Sequence, residues 1–500
     1  MSTVVEYGWR RVAVVSAVML AALLQLADTT IVNVALPTMD GGLGASTDEG
    51  AWFVTAYIVA NVIVIPLSPW LQSLFGRRNY FAMSIAGFTV TSVLCGLAND
   101  TNTEIALRFI QGAFGGGLMV PAQQIIRDTY PPKMLGTSQT LFALAVTIGP
   151  TIGPTLGGIL TDDASWRWVF FINVIPGIVA TLLVLMFLRD PETPPASGLD
   201  IIGIAFLAVG LGSLQYVLDE GERYGWFDDS NNVLIAIVAG VGLTAFVLWE
   251  LFGTKVPAVA LRVLRQRSVW AMSIANFFIG ISFFGLIFVL PIYTQNVLGF
   301  TTTDSGLAMM FRAGTAVLLF PVINAIVQRP DVDLRLIATT GIGITAIVTW
   351  VQSFVITSNT SFAALLPTQI AGGLGFSLLF VPLNVALFRS LEPATIPASL
   401  ALTRLFQQIG GSVGSALTVT LLDRFGAAHQ AALAGSVALS NTPVRTFMDA
   451  HGSQSIGALA YMVAQETQSL ATADTLRFFA VVLACAAALP LLFRRVHTKA

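Results

Sequence analysis

Very few ionisable side chains lie inside the long apolar runs of this 500-residue sequence. Asp28 is the only carboxylate well inside such a run, with Gln25 three positions before it and Thr29 beside it. A charged group in a membrane interior costs about 2.5–3.5 kcal/mol on insertion scales, so a charge kept there is a candidate for function. Loss of water disfavours the charged form of a carboxyl group, which suits a group that loads a proton on one side and releases it on the other. We therefore predict that Asp28 carries protons.

Three arginines also lie inside apolar runs, namely Arg108, Arg312 and Arg404. Arg108 is the expected partner of Asp28, and two interpretations of that pair stay open. The pair either remains closed and only stabilises the helices, or opens in one conformation and lets Asp28 take up a proton. For Arg312 and Arg404 two interpretations stay open. Each arginine has either a structural role, in hydrogen bonds between helices or by snorkelling to the membrane surface, or a role in function.

The sequence offers no site for a metal, a cofactor or an enzymatic reaction. Its histidines, His429, His451 and His497, fall outside the apolar runs, and its two cysteines, Cys95 and Cys485, are far apart. No cluster of His, Cys, Asp or Glu has metal-ligand spacing, and no Ser or Cys in the apolar runs has a base placed nearby. A net charge of −2 without a run of Lys or Arg gives no reason to expect nucleic acid.

The composition is that of an integral membrane protein. Hydrophobic side chains make up 55% of the chain and charged ones only 10%, whereas soluble domains average about a quarter charged. A membrane-spanning helix needs about 20 apolar residues, and the runs have that length rather than the short alternation of barrel strands. We predict an all-α fold with about fourteen spans, at 12–36, 50–71, 79–98, 104–127, 137–160, 167–188, 199–218, 232–252, 268–296, 304–328, 334–357, 362–388, 398–421 and 475–493.

Positive charges fall on one side of the predicted spans. Lys and Arg are retained on the cytoplasmic side of a membrane, whereas the opposite loops here are acidic or neutral, as at 40–49, 100–104 and 219–229. Both termini should therefore be cytoplasmic, with an even number of spans. The positively charged residues of this side are Arg10, Arg11, Arg77, Arg78, Arg127, Lys133, Arg189, Lys255, Arg262, Arg265, Arg267, Arg329, Arg335, Arg389, Arg494, Arg495 and Lys499.

One connection between spans is unusually long. Residues 422–474 form a segment rich in Ala, Ser, Gln and Thr, which we expect to be a loop on the outer side. The ranges 427–437 and 455–470 are compatible with short helices, although neither has a strong capping signal. Two interpretations stay open, a solvated linker and a hairpin that docks a partner protein.

The chain contains an internal repeat. A shift of 261 positions places Gly112 on Gly373, and further glycines and prolines coincide at the same shift. Many transporters are built from two related halves and show repeats of this kind. We predict two six-helix halves at residues 1–190 and 267–500, with two inserted helices at 191–266.

Glycine and proline are concentrated in the fifth predicted span. Glycines four positions apart let another helix approach closely, and prolines bend the helix that contains them. Packing alone explains many such patterns in membrane helices. The residues are Gly149, Pro150, Gly153, Pro154, Gly157 and Gly158.

This string resembles the antiporter motif of drug exporters of the major facilitator superfamily. The segment 27–37 resembles the first-helix signature of the fourteen-helix branch, and Arg108 to Gly112 resembles the fourth-helix motif. Similarity continues through 166–176, and 399–422 with the segment after it resembles the EmrB branch. Over nearly its whole length, the chain is therefore similar to EmrB/QacA-type drug:proton antiporters.

The resemblance implies a major facilitator fold with two six-helix halves and two inserted helices, in the cytoplasmic membrane of a bacterium. It implies export of amphipathic or lipophilic compounds by alternating access, driven by proton entry, with Asp28 and Arg108 in the coupling machinery. Protons are then the coupling ion, and no cofactor is needed. The EmrB-like outer segment also implies a periplasmic adaptor and, through it, an outer-membrane channel.

The loop between the second and third spans departs from the family pattern. That pattern is Gly-x-Leu-Ala-Asp-Arg-x-Gly-Arg, whereas this chain has Ser73 in place of the acid. Gly76, Arg77 and Arg78 are retained, so a contact of this gate loop with the facing half stays open. The missing acid puts the usual charge relay at the cytoplasmic gate in question.

A pocket between the halves would hold the substrate, with mostly apolar walls and a few polar groups. The expected partners are membrane lipid and small amphipathic molecules. Three other interpretations stay open: a dedicated exporter of one metabolite, lipid or siderophore, a membrane sensor that no longer moves solute, and a channel. The pocket candidates are Gln25, Asn33, Gln111, Met119, Phe284, Phe288, Arg312 and Gln369, with Phe277, Phe283, Met309 and Met310 as further apolar candidates.

Overall fold

The computed structural model describes residues 5–190, 198, 200–329, 331–437, 441–451 and 455–493. In this part of the chain every regular element is a helix. The α-helices are α1 Gly8–Leu43, α2 Thr47–Phe75, α3 Arg77–Leu97, α4 Thr101–Gly116, α5 Met119–Thr129, α6 Leu135–Asp163, α7 Trp168–Phe171, α8 Val174–Phe187, α9 Ile201–Glu220, α10 Ser230–Leu248, α11 Arg267–Asn296, α12 Thr302–Val327, α13 Leu334–Val355, α14 Phe362–Ser390, α15 Ile396–Ser436, α16 Thr442–His451 and α17 Ser455–Ala486.

Thirteen helical segments of the described residues are long and apolar enough to cross a membrane. The remaining predicted span, 398–421, lies within α15, which is more polar but packs against α11 and α17. Two predicted spans are each built from two helices, α4 with α5 and α7 with α8. The all-helical membrane fold is confirmed. Three of the positive charges used for the orientation, Arg494, Arg495 and Lys499, lie outside the described residues.

Side-chain caps fix where several helices begin. Ser46 forms a capping box with Glu49 at the start of α2, because each side chain pairs with the other residue's backbone N–H. Asp100 caps α4 by accepting a hydrogen bond from the Thr103 backbone N–H at 2.9 Å, and this bond lowers the pKa of Asp100. These caps lie between spans, at the end of the molecule that carries acidic loops. We call this the acidic end, and the end that carries Arg77, Arg78 and Arg127 the basic end.

The predicted repeat corresponds to repeated helix packing. α4 packs against α2 and α14 packs against α12. In each case a glycine allows the approach, since a Cβ added to Gly112 would collide with the Tyr57 carbonyl oxygen, and one added to Gly373 with that of Arg312. Small residues at such crossings are the usual means by which membrane helices come close together.

A second pair of crossings repeats in the same way. α6 packs against α1, where Gly153 lies close to the Ala27 carbonyl oxygen, and α15 packs against α11, where Gly414 lies against the Ile281 carbonyl oxygen. The glycines predicted as an antiporter motif therefore hold α6 against the helix that carries Asp28.

The described part of the segment 422–474 is mostly helical, whereas the sequence predicts a loop. α15 continues to Ser436, α16 follows, and α17 begins at Ser455, so the two short helices considered at 427–437 and 455–470 are the ends of long ones. Alanine has the highest intrinsic helix propensity, and the segment is rich in it. His429 Nε2 lies 2.8 Å from Asp474 Oδ2 and ties the extension of α15 to α17.

The inserted helices do not stand apart from the rest. α9 packs against α10 through Gly210 and Gly242, and it also contacts α2 of the first half and α15 of the second. One helix of each half therefore meets the insertion. The exact domain boundaries at 190 and 266 stay a prediction.

We predict that Gly410→Val destabilises the protein, because a Cβ there would strike the backbone carbonyl of Phe277. Overpacking of this kind costs about 1–3 kcal/mol. Thermal unfolding of the detergent-solubilised protein measures the loss. Gly314→Val is the matched control, since nothing lies within 4 Å of a Cβ added to Gly314 in α12. Equal melting temperatures for the two variants would contradict the packing account.

Candidate functional site: a buried ion pair beside a central cavity

Asp28 of α1 and Arg108 of α4 form an ion pair in the interior of the first half. Arg108 Nη1 lies 2.8 Å from Asp28 Oδ2, and the two side chains are 1% and 0% exposed. Burial of two charges is costly, and such a pair is kept only when its geometry is good and the remaining polar atoms are satisfied. The pair therefore depends on its neighbours.

Those neighbours satisfy both members of the pair. Gln111 Nε2 and Asn173 Nδ2 each donate to Asp28 Oδ1 at 3.2 Å. Arg108 Nε donates to the Phe53 carbonyl oxygen at 2.9 Å, and Arg108 Nη1 also donates to Gln111 Oε1 at 2.6 Å. Gln111, predicted as a pocket residue, thus belongs to the ion-pair cluster instead.

Glu104 is a second carboxylate in this cluster, one turn before Arg108 on α4. It is 0% exposed, and neither carboxylate oxygen has a hydrogen-bond partner. Asp28 is therefore not the only buried carboxylate of the first half, although Glu104 lies in the first turn of α4 and not well inside the span. The sequence hid Glu104 because it stands at a span end, next to the loop that begins at Asp100.

A cavity of about 540 Å³ lies between the two halves, bounded by α1, α2, α9, α11 and α15. It contains four of the predicted pocket residues, Gln25, Asn33, Phe284 and Phe288. This volume is within the usual range for small-molecule sites. Gln25 is 4% exposed and its Oε1 has no partner, so a polar acceptor is free within the wall.

Tyr57 connects the cavity to the ion pair. It lines the cavity, its hydroxyl group has no partner, and its ring lies 4.4 Å from the Arg108 guanidinium carbon. A cation over an aromatic face is stabilised by the ring quadrupole. A molecule in the cavity therefore contacts the side chain that supports Arg108 from the other side.

The cavity walls carry charges of both signs. Arg404 of α15 lies towards the basic end, and its Nη1 donates to Gln407 at 2.6 Å. Asp219, Glu220 and Glu222 line the acidic end of the cavity. The sequence had placed these acids in an outer loop, whereas Asp219 and Glu220 lie on α9, where Gln215 bridges Asp219 to α15.

The other pocket candidates lie elsewhere. Arg312 and Gln369 line a smaller cavity of about 80 Å³ together with Phe283 and Met309. Met119 is buried in the core, Phe277 packs against the same core, and Met310 is 39% exposed.

The two halves meet at the basic end. Gln123 Nε2 of α5 donates to Asn384 Oδ1 of α14 at 2.8 Å. Asn324 Nδ2 of α12 donates to Thr137 Oγ1 of α6 at 3.1 Å. The cavity is thus closed towards the basic end and reaches the exposed Arg223 at the acidic end.

The gate loop makes hydrogen bonds within its own half. Arg77 Nη1 lies 2.6 Å from Asp128 Oδ2 of α5, and the Arg78 backbone N–H donates to Asp190. Gly76, with φ +80°, joins the end of α2 to the start of α3. The Ser73 hydroxyl donates to the Trp70 carbonyl oxygen of its own helix, so Asp128 is the acid that pairs with Arg77. These hydrogen bonds all lie within the first half, and a contact with the facing half stays a prediction.

The glycine and proline string lies along one side of α6. Gly149 and Gly157 pack against Leu26 and Ile31 of α1, on either side of Asp28 in the sequence. Pro150 lines the smaller cavity, while Pro154 and Gly158 lie in the following turns of α6. The string therefore holds α1 in place and also forms part of a cavity wall.

Comparison with known proteins decides the family. Residues 18–415 match the family model described as Major Facilitator Superfamily. The chain belongs to this superfamily. The multidrug export protein EmrB of Escherichia coli K12 is 32% identical over 86% of this chain and 84% of its own length. The fatty acid resistance protein FarB of Neisseria gonorrhoeae is 31% identical over 82% of this chain and 80% of its own.

Solved structures give the same fold. The human organic anion transporter MFSD10 superposes with a TM-score of 0.60 at 13% identity, over 95% of this chain and 99% of that one. The major facilitator fold predicted from the sequence is confirmed, as is the resemblance to EmrB-type proteins. The chain is an EmrB-type efflux transporter of this superfamily, and thus a secondary transporter and not an enzyme.

We predict that Arg108→Gln destabilises the protein strongly, because it leaves Asp28 buried without its counter-ion. Breaking a buried pair by removing one partner costs about 3–5 kcal/mol. The double variant Asp28→Asn/Arg108→Gln should recover much of that loss, as measured by thermal unfolding in detergent. Arg424→Gln, on an exposed part of α15, is the control and should change little. A double variant as unstable as the sum of the single variants would show that the two residues act independently.

Proposed function

We propose that this chain exports structurally varied amphipathic compounds by alternating access, coupled to the entry of protons. The observation that carries the proposal is the position of Tyr57, which lines the central cavity and supports the Arg108 guanidinium of the buried pair. A substrate in the cavity, through Tyr57, and a proton on Asp28 would therefore both act on the Arg108 side chain. The similarity to the multidrug export protein EmrB supports the substrate class.

The coupling would follow from the balance of charge. When Asp28 is ionised, it holds Arg108 at 2.8 Å and fixes α1 against α4. When Asp28 takes up a proton, the attraction falls and Arg108 loses its counter-ion, so the pair no longer holds the two helices. Substrate entry that displaces Tyr57 would alter the same pair and favour release of the proton. Glu104, a second buried carboxyl beside Arg108, belongs to this proposed charge balance.

The arrangement of contacts suits a state that opens outward. Closure at the basic end by Gln123 and Asn384 would separate the cavity from the cytoplasm, if the positive charges mark that side. A substrate would then leave at the acidic end, past Glu222 and Arg223. We propose this orientation, with both termini cytoplasmic, in the cytoplasmic membrane of a bacterium.

The helical projection formed by α16 and by the outer ends of α15 and α17 is proposed to dock a periplasmic adaptor, and through it an outer-membrane channel. The projection contains an apolar groove of about 430 Å³ lined by residues such as Val444, Met448 and Ile456. Ile456 and Tyr461 are 69% and 63% exposed. Apolar side chains exposed beyond the membrane spans favour binding to a protein partner.

We predict that Asp28→Asn abolishes uphill transport. An amide cannot carry a proton, so inverted vesicles with an imposed proton gradient should accumulate a fluorescent lipophilic cation with the wild type and lose accumulation with the variant. Asp163→Asn is the matched control, since it makes the same change on an exposed side chain and should leave transport unchanged. Unchanged proton-driven accumulation in Asp28→Asn, with normal insertion, would remove Asp28 from the mechanism.

We also predict that deletion of residues 427–470 spares transport in single-membrane vesicles but lowers drug resistance in a cell with two membranes. The deletion removes the projection and leaves the central cavity untouched. Resistance is measured as the minimal inhibitory concentration of an exported compound. Full resistance in the deletion strain would contradict the adaptor proposal, and loss of vesicle transport would show that the projection serves the transport cycle itself.

A further inference from the structure

The smaller cavity, in the second half, contains a positive charge without a counter-ion. Arg312 of α12 makes no ion pair in the described part of the chain. Its Nη2 donates to Gln352 Oε1 at 3.3 Å, and its Nε has no partner. Gly372 of α14 leaves room for this guanidinium, since an added Cβ would lie 3.0 Å from Arg312 Nε. A guanidinium in an apolar site without an anion is costly, which points to an anion from outside the chain.

Two further polar groups in the same cavity are unsatisfied. Gln369 is 0% exposed, and neither its Nε2 nor its Oε1 has a partner. Ser282 is 0% exposed, and its Oγ has no partner either. The walls thus present a guanidinium N–H, an amide NH₂ and a hydroxyl group, which are three donors suited to an oxyanion.

Comparison of the two repeated halves shows which charged group the second half lacks. Gly153 approaches the carbonyl oxygen of Ala27 in the first half, and Gly414 approaches that of Ile281 in the second. The residues that follow these two contacts are Asp28 and Ser282. The second half therefore has the unpaired Ser282 hydroxyl group where the first half has the Asp28 carboxylate. Its Arg312 stands where the first half has Tyr57, because Gly373 meets the Arg312 carbonyl oxygen as Gly112 meets that of Tyr57.

Apart from Thr147, Thr151 and Thr345, the rest of the cavity wall is apolar, and the cavity leads to the central cavity. Leu286, Met309 and Phe376 form its walls. Its volume of about 80 Å³ is room for a head group and a few carbon atoms. Ile287 lines both cavities, so a longer tail would extend past it into the central cavity of about 540 Å³.

We propose that this cavity binds the carboxylate of a single-chain amphipathic acid, with Arg312 as its counter-ion and Ser282 and Gln369 as hydrogen-bond donors. The acyl tail lies along the apolar wall and reaches the central cavity past Ile287. The inference rests on the proposed export function and names one class of its substrates. Occupation by such an acid supplies the second half with the negative charge that Asp28 supplies in the first.

The test measures binding of dodecanoate, 1-dodecanol and dodecyltrimethylammonium to the full chain in phosphatidylcholine nanodiscs. Arg312→Gln should weaken dodecanoate binding about tenfold or more, because a hydrogen bond to a charged group is lost, and should leave dodecanol binding unchanged. Arg389→Gln is the matched control: it removes an arginine of α14 at the basic end and should bind dodecanoate like the wild type. Ser282→Ala, which removes only a hydroxyl group, should weaken dodecanoate binding a few-fold. It replaces Arg312→Gln as the test variant if Arg312→Gln does not fold.

Several results would overturn the proposal. One is a dodecanoate affinity of Arg312→Gln equal to that of the wild type; if Arg312→Gln does not fold, the same comparison is made with Ser282→Ala. Another is a wild type that binds dodecanoate and dodecanol with equal affinity. If Arg404→Gln loses dodecanoate binding while Arg312→Gln keeps it, the acid binds in the central cavity and not beside Arg312. Mass spectrometry that finds a bound phosphatidylglycerol, not displaced by dodecanoate, would assign the site to a lipid head group. Failure of export would leave this binding test unaffected, because it is measured without a proton gradient.

Discussion

The buried pair of Asp28 and Arg108 constrains the rest of the first half. Two charges without water are stable only while their own remaining polar atoms are satisfied, and Gln111, Asn173 and the Phe53 carbonyl oxygen perform that task for Asp28 and Arg108. These partners come from several segments, so the pair fixes the relative positions of α1, α2 and α4. A change in the charge of one carboxyl group would therefore be felt by several helices at once, which is what coupling of a proton to a conformational change requires.

The two halves share a packing plan but differ in charge. Glycines at equivalent positions set the same helix crossings in both. Arg312, which stands where the first half has Tyr57, has no carboxylate partner in the described residues, whereas Arg108 of the first half is paired with Asp28. The inserted helix α9 adds a further difference, because it brings Asp219 and Glu220 to the central cavity. We propose that proton coupling lies in the first half and recognition of an acidic head group in the second, with the central cavity between them.

Hydropathy and the distribution of charge predicted the spans and the residues of the ion pair, because an apolar run with one charge is a local signal. Recurring glycines and prolines predicted the repeat. Contacts between distant parts of the chain leave no such local signal in the sequence. Glu104 stood beside a loop, and Asp128 replaces the acid missing at Ser73 from another helix. Weak helix-capping signals favour a loop in the Ala-rich segment 422–474, although alanine favours a helix even without caps. Which candidates share a cavity depends on helix rotation, which the sequence alone does not fix.

The most direct test of the account is proton release on substrate binding. Purified protein in detergent, in a weakly buffered solution with a pH indicator, receives a lipophilic cation such as tetraphenylphosphonium. The account predicts that the wild type releases protons as the cation binds, and that Asp28→Asn binds the cation but releases none. Equal release from both proteins, or binding by the wild type without release, would contradict coupling through the Asp28 and Arg108 pair.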